Sequence, residues 1–139
     1  MACTIERELY LPREPVFEAW TESEHLAQWF PPEGCTVERV VAEAVAGGRF
    51  SIEWREASGE PVRESGRFAE VSAPERLVCI LEDEAAGVAG RRLRVEMIDG
   101  EDTCRVRLDE EGRGDDSAAL RRGEWEARLD RLEAYFSAI

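Results

Sequence analysis

The chain has 139 residues, 43% of them hydrophobic, and 18 basic against 31 acidic residues give a formal net charge of −13. A domain of this length buries roughly 68% of its unfolded surface, so one core forms without disulfide or metal staples, and residues 1–139 read as a single domain. The acidic balance argues against nucleic acid or an anionic membrane as partner, because both are polyanions.

No apolar run reaches the ~18 residues of a membrane span. The opening MACTIERELYL lacks the basic and apolar regions of a signal peptide, so a cytoplasmic protein is expected. Cys3, Cys35, Cys79 and Cys104 are too far apart for a CxxC site. Free thiols are expected, with no metal and no cofactor.

Residues 3–11 read as a strand, with Ile5, Leu9 and Leu11 among polar neighbours. Pro12 and Pro15 end it, and Pro15 suits the first turn of a helix. Residues 14–30 then read as a helical hairpin. Its break is Thr21-Glu22-Ser23, where Ser23 is a candidate cap for the second helix, and its end is Pro31-Pro32.

Strands follow. Residues 35–45 form one, and Gly47-Gly48 turns the chain. In residues 49–56, Phe50, Ile52 and Trp54 alternate toward one face, which puts Glu53 on the other. Residues 62–71 return, broken by Gly66, and residues 76–82 are a nearly continuous apolar run. Residues 84–90 read as a loop. In residues 91–98, Leu93, Val95 and Met97 point in, and Arg92, Arg94 and Glu96 point out. Asp99-Gly100 is a hairpin signal, answered by residues 103–109. Residues 110–116 read as a polar linker.

From Asp115 to Ile139 the pattern becomes helical. Trp125, Leu129, Leu132, Phe136 and Ile139 share one stripe, and Glu124, Glu126, Arg128, Asp130, Arg131 and Glu133 fall on the other face. Asp116 or Ser117 can cap the start. Consecutive strands on short turns pair antiparallel. About seven of them with one long helix make an α+β domain, the helix on one sheet face. An apolar cavity is expected between helix and curved sheet, roofed by the two short helices.

These residues also carry a resemblance. PREPVFEAWTESEHLAQWF at 12–30, GGRF at 47–50, GRFAEVSAPERLV at 66–78 and W-x-x-x-L-x-x-L from Trp125 to Leu132 occur in the order seen in one family. The chain resembles the activator-of-heat-shock-protein-ATPase homologue group of the START-like, polyketide-cyclase-like (SRPBCC) helix-grip superfamily. One departure is visible: the family usually has Gly immediately before the helix Trp, and here Gly123 stands one place earlier. The resemblance implies a curved antiparallel sheet gripping a long C-terminal helix, in a cytosolic protein with an apolar cavity. It also implies a heat-shock chaperone as a second kind of partner.

Candidate ligand residues follow from the alternation and the stripe. Trp29, Phe50, Trp54, Phe68 and Trp125 are large rings able to line a cavity, with Ile52, Leu81, Met97 and Leu129 between them. The same rings fill a core equally well. Arg122 falls on the inward stripe, where it would meet a ligand carboxylate; the alternative is a solvated helix charge. Glu70 is in phase with Gly66 and Phe68 and points inward if Phe68 does; the alternative is an exposed or Arg-paired carboxylate.

No catalytic residue is assigned. His25 is the only histidine, has no nucleophile beside it, and reads as an exposed helix residue. The favoured reading is a binder of an apolar, lipid-like or amphipathic small molecule. A co-chaperone-like regulator of a heat-shock ATPase is the alternative, followed by a polyketide-cyclase-like enzyme using carboxylate, Arg and Tyr groups. Oligomeric state is left open.

Overall fold

The computed structural model describes residues 2–83, 88–112 and 118–137. Strand β1 (Ala2–Leu9) is followed by helices α1 (Arg13–Thr21) and α2 (Ser23–Trp29). Six strands come next: β2 (Thr36–Ala42), β3 (Arg49–Arg55), β4 (Pro61–Ser72), β5 (Arg76–Asp83), β6 (Val88–Asp99) and β7 (Cys104–Glu111). Helix α3 (Ala118–Ser137) closes the described chain. The strands form one seven-stranded sheet in the order β1-β7-β6-β5-β4-β3-β2. Every neighbouring pair is antiparallel. This is the α+β arrangement, a helix on one face of an antiparallel sheet, that the sequence predicts, and the helix-grip fold that the resemblance implies.

Alternation decides which face of the sheet is covered. Phe50, Ile52 and Trp54 of β3, Leu93, Val95 and Met97 of β6, and Cys104, Val106 and Leu108 of β7 are all buried, and their intervening neighbours are not. Helix α3 lies on this face through Trp125, Leu129 and Leu132, each with no exposed surface. Phe136 is half-buried. Ile139 and the candidate caps Asp116 and Ser117 lie outside the described residues. Ser23 does not cap α2: Glu22 stands at that position, extended, and no side chain bonds there.

Two segments differ from the sequence reading. Residues 84–90 are expected to be a loop, yet β6 already runs from Val88, because the register shift after Leu81 lets Asp83 and Glu82 pair with Val88 and Ala89. The linker at 110–116 begins later than expected, because Glu110 and Glu111 still pair with β1 and β6. Residues 84–87 and 113–116 of these segments lie outside the described residues.

Gly66 does not break β4. A Cβ there would come within 2.9 Å of the Phe50 ring, so the glycine lets that ring lie against the backbone. Gly123 has no such reason. It sits in α3, exposed, with nothing near the position of a Cβ. Gly123→Ala is therefore expected to stabilise the protein by about 0.5–1 kcal/mol, read as a higher denaturation midpoint with unchanged slope.

On the outer face, the Asp109 carboxylate accepts from the Thr4 hydroxyl at 2.7 Å and from Arg94 and Arg107 at 3.2 Å each. Burial pushes its pKa up, but these three donors more than offset that and hold it below 3.8. A carboxyl depressed in the folded state stabilises above its unfolded pKa and loses that contribution as pH falls through the folded value. Asp109→Asn should therefore flatten the part of the acid-unfolding curve below about pH 4. An unchanged acid limb would remove Asp109 from the account.

Candidate functional site

Under α3 the two short helices bring their rings onto the long one, and an open cleft borders the ring cluster. Trp20 meets Trp29 edge-on at 4.7 Å and stacks on Trp125 at 6.0 Å between centroids. Phe30 lies edge-on to Trp29 at 5.6 Å, to Trp125 at 5.8 Å and to Trp54 at 6.5 Å. All four tryptophans belong to this cluster. Polar ties fix it. The Trp29 indole donates to the Ala19 carbonyl at 2.9 Å. The Arg131 guanidinium donates to the carbonyls of Trp29 and Phe30 at 3.0 Å each, satisfying the end of α2. Burial and the neighbouring Arg128 lower the Arg131 pKa from the arginine value.

Beside this cluster, along the same turns of α3, a cleft of about 620 Å³ opens between α3 and the strands β3 to β6. Trp54, Val62, Leu81, Pro32 and Ala127 give its apolar wall. Arg63, Arg91, Arg128 and Arg131 stand around it with Glu56, Glu64, Glu82 and Glu124. The lining mixes apolar and charged side chains, and formal charge is balanced along it.

The buried polar pair at the cleft is Arg128 and Glu64. Arg128 Nη2 donates to Glu64 Oε2 at 2.7 Å, and the two side chains are 6% and 14% exposed. The guanidinium also lies 4.1 Å over the Phe30 ring and 4.7 Å over that of Trp125. A second buried carboxylate lies behind it. Glu110 accepts from the Trp125 indole at 2.6 Å and faces Arg91 at 3.4 Å.

Sequence reading placed Arg128 on the outer face of α3, and the structure buries it. Its position, three residues after Trp125 and four before Leu132, repeats the spacing of the stripe, and its charge hid that. Glu64 shares the parity of Gly66 and Phe68, and Glu110 that of Cys104, Val106 and Leu108. Arg91 precedes Leu93 in the inward series of β6. In each case the alternation carried a signal that a polar residue type obscured.

The candidate ligand residues divide. Trp54 and Leu81 line the cleft. Trp29, Phe50, Ile52, Phe68, Met97, Trp125 and Leu129 are packed in the core, none more than 8% exposed. Arg122 lies on the β1 side of α3, where it donates to the Thr4 carbonyl at 3.0 Å and pairs with Glu126 at 3.5 Å. Glu70 lies on the outer face. A bulge between Phe68 and Glu70 shifts the register, so Glu70 stands opposite Val78 while Phe68 stands opposite the inward Cys79. Glu70 accepts from the Ser72 hydroxyl at 3.0 Å, with Arg76 at 3.7 Å.

The carboxylate, arginine and tyrosine set of a cyclase-like enzyme is therefore not assembled from Glu70 and Arg122. The two tyrosines are also elsewhere: Tyr10 is exposed, and the Tyr135 hydroxyl is 2.6 Å from His25 Nδ1. His25 is half-buried by that contact, not simply exposed. Among the described residues no three His, Cys, Asp or Glu side chains gather to hold a metal.

The cysteines are free thiols. Burial pushes Cys79 up to about 12 and Cys104 up to about 11, and it raises Cys3, Arg122 opposing and Glu110 adding. Half-buried Cys35 is expected to take iodoacetamide first in the native protein, the other three only after unfolding. Native labelling of Cys79 at a comparable rate would contradict this burial.

A family model described as Activator of Hsp90 ATPase homolog 1-like protein matches residues 10–137. The comparison with curated proteins gives no match. Among solved structures, the chain is similar to a protein from Chromobacterium violaceum at 25% identity and TM-score 0.84, covering 96% of this chain and 95% of that one. An AHSA1-like protein from Aeromonas hydrophila is similar at 24% identity and TM-score 0.88, over 99% and 93%. An HSP90 activator from Plasmodium falciparum is similar at 20% identity and TM-score 0.76, over 99% and 96%. Likeness at these last two identities shows the fold alone.

Proposed function

The chain belongs to the Activator of Hsp90 ATPase homolog 1-like family, and from that premise we propose that it holds a small amphipathic molecule in the cleft between α3 and strands β3 to β6. The observation that carries this reading is the cleft itself. Its volume of about 620 Å³ falls within the usual ligand range of ~300–1,000 Å³. Trp54, Val62 and Leu81 offer an apolar wall, and burial against it contributes about 2.5 kcal/mol per 100 Å² of apolar ligand surface. Arg128 and its neighbours offer polar groups that set orientation.

A thermal-shift screen with fatty acids, sterols and aromatic polyketides tests it. A true ligand at about a hundredfold over its Kd adds about 2.7 kcal/mol to stability. It should also move the NMR signals of the Trp54 indole and of the Val62 and Leu81 methyls. A panel that leaves all three unmoved would sink the proposal.

A second reading is regulation of a heat-shock ATPase, with the chaperone as partner. Its support is the family's description and the likeness to the Plasmodium activator. Measuring the ATPase rate of a heat-shock chaperone with and without the protein decides it. A rate unchanged at saturating protein removes that reading and leaves the ligand reading in place.

A further inference from the structure

The two edges of the sheet differ in what covers them. Along β1 lies α3: Arg122 donates to the Thr4 carbonyl at 3.0 Å, and Arg7 pairs with Asp130 at 2.7 Å. At the opposite edge β2 has β3 as its only strand neighbour. Of the seven strands β2 alone has no buried residue, and Thr36 to Arg39 are exposed. Val37 is 38% exposed, and Val40 and Val41 are half-buried. An open edge rich in β-branched residues is a template for another strand.

The middle of this strand is symmetric in chemistry and in facing. Val37 and Val40 stand opposite Trp54 and Ile52 and face inward with them. Thr36, Arg39 and Val41 stand opposite Arg55, Glu53 and Ser51, on the outer face. Glu38 is the extra residue of the bulge between Val37 and Arg39, and its 3.4 Å pair with Arg55 places it on the outer face too. From Thr36 to Val41 the order is out, in, out, out, in, out, the same read from either end. A bulge ordinarily deters pairing at an edge. This one makes the edge complementary to itself.

We infer that β2 pairs antiparallel with β2 of a second copy of the chain, about a two-fold axis between Glu38 and Arg39. Glu38 of each copy then stands opposite Arg39 of the other, and Val37 opposite Val40. A slip of one residue sets Glu38 against Glu38 or Arg39 against Arg39, so the charges fix the register. Charge also favours this edge over other surfaces. Copies of a chain with net charge −13 repel one another, whereas β2 carries one Glu and one Arg. Arg39 has no ion pair among the described residues and is free to meet the second copy. One strand pair is a small interface, under ~1,200 Å², so the dimer is reversible and depends on concentration.

Sedimentation velocity of the full chain from about 1 μM to about 1 mM tests it. Salt at about 0.15 M screens the net repulsion and leaves contact pairs in place. The parent should shift from monomer to dimer across the series. Glu38→Arg and Arg39→Glu each set like charges together twice in the dimer, and each should weaken it about tenfold or more. An equimolar mixture of the two variants should regain the dimer, because one brings two arginines to the axis and the other two glutamates. Glu38→Arg and Arg39→Glu combined in one chain should regain it as well. Both side chains are exposed, so every variant should keep the parent's melting temperature.

A parent that stays monomeric throughout overturns the inference. So does a dimer that ignores the single charge changes, or one that neither the mixture nor the combined variant restores.

Discussion

Trp125→Ala is expected to cost the fold about 3–5 kcal/mol. In a chain of this size that lowers the melting temperature by on the order of 10 °C. The side chain has no exposed surface and stacks on Trp20 while meeting Phe30 edge-on, so its removal leaves a cavity at the junction of all three helices. It also takes the indole donor from the buried Glu110. A buried carboxylate deprived of a donor adds about 1–3 kcal/mol. Trp125→Phe separates the two effects, because it keeps most of the ring and deletes the N–H. Trp125 is not among the residues that line the cleft. A ligand held there should therefore keep its affinity for whatever fraction of the variant is folded. Chemical denaturation gives the stability, and a loss under about 1 kcal/mol in the alanine variant would contradict the packing described.

Glu64→Ala should be comparably severe for a different reason. It removes the acceptor of a guanidinium that is 6% exposed and leaves that charge buried. Breaking a buried ion pair from one side costs about 3–5 kcal/mol. Removing both partners does not, because the desolvation penalty leaves with them. The double variant, Glu64→Leu with Arg128→Met, should thus recover most of the loss and return within about 1 kcal/mol of the parent. With Glu64→Leu and Arg128→Met also made singly, the four proteins form a double-mutant cycle, and its interaction energy is the quantity to read. A single variant within about 0.5 kcal/mol of the parent would mean that water reaches Arg128 and shares its charge. A double variant no better than the single would mean that Arg128 matters through its contact with Phe30, not through its pair.

Both residues bear on how far the sequence can be read. The stripe of Trp125, Leu129 and Leu132 is legible because an amphipathic helix and an antiparallel sheet each repeat with a fixed period. Apolar residues at that period must face a core. The strand series of β3, β6 and β7 is legible for the same reason. Arg128, Glu64 and Glu110 obey the same periods. They went unread because a charged side chain is normally solvated, and only a partner on another element reverses that preference. Glu64 and Arg128 are 64 positions apart, so no local pattern joins them.

What the sequence by itself determined is the set of elements, their inward faces and the motifs that join this chain to its family. Period, turn chemistry and proline placement are local, and local physics fixes them. What only the tertiary structure decided is which rings fill the space beneath α3 and where that space stays open. Helices α1 and α2 settle that by bringing Trp20 and Phe30 onto Trp125, with Trp29 packed against both. The bulge after Phe68 settles that Glu70 faces out. Pairing between distant strands sets the register that puts Trp54, Leu81 and Arg91 on one cleft with Arg128. These depend on contacts between segments far apart in the chain, and such contacts exist only once the sheet has closed around the helix.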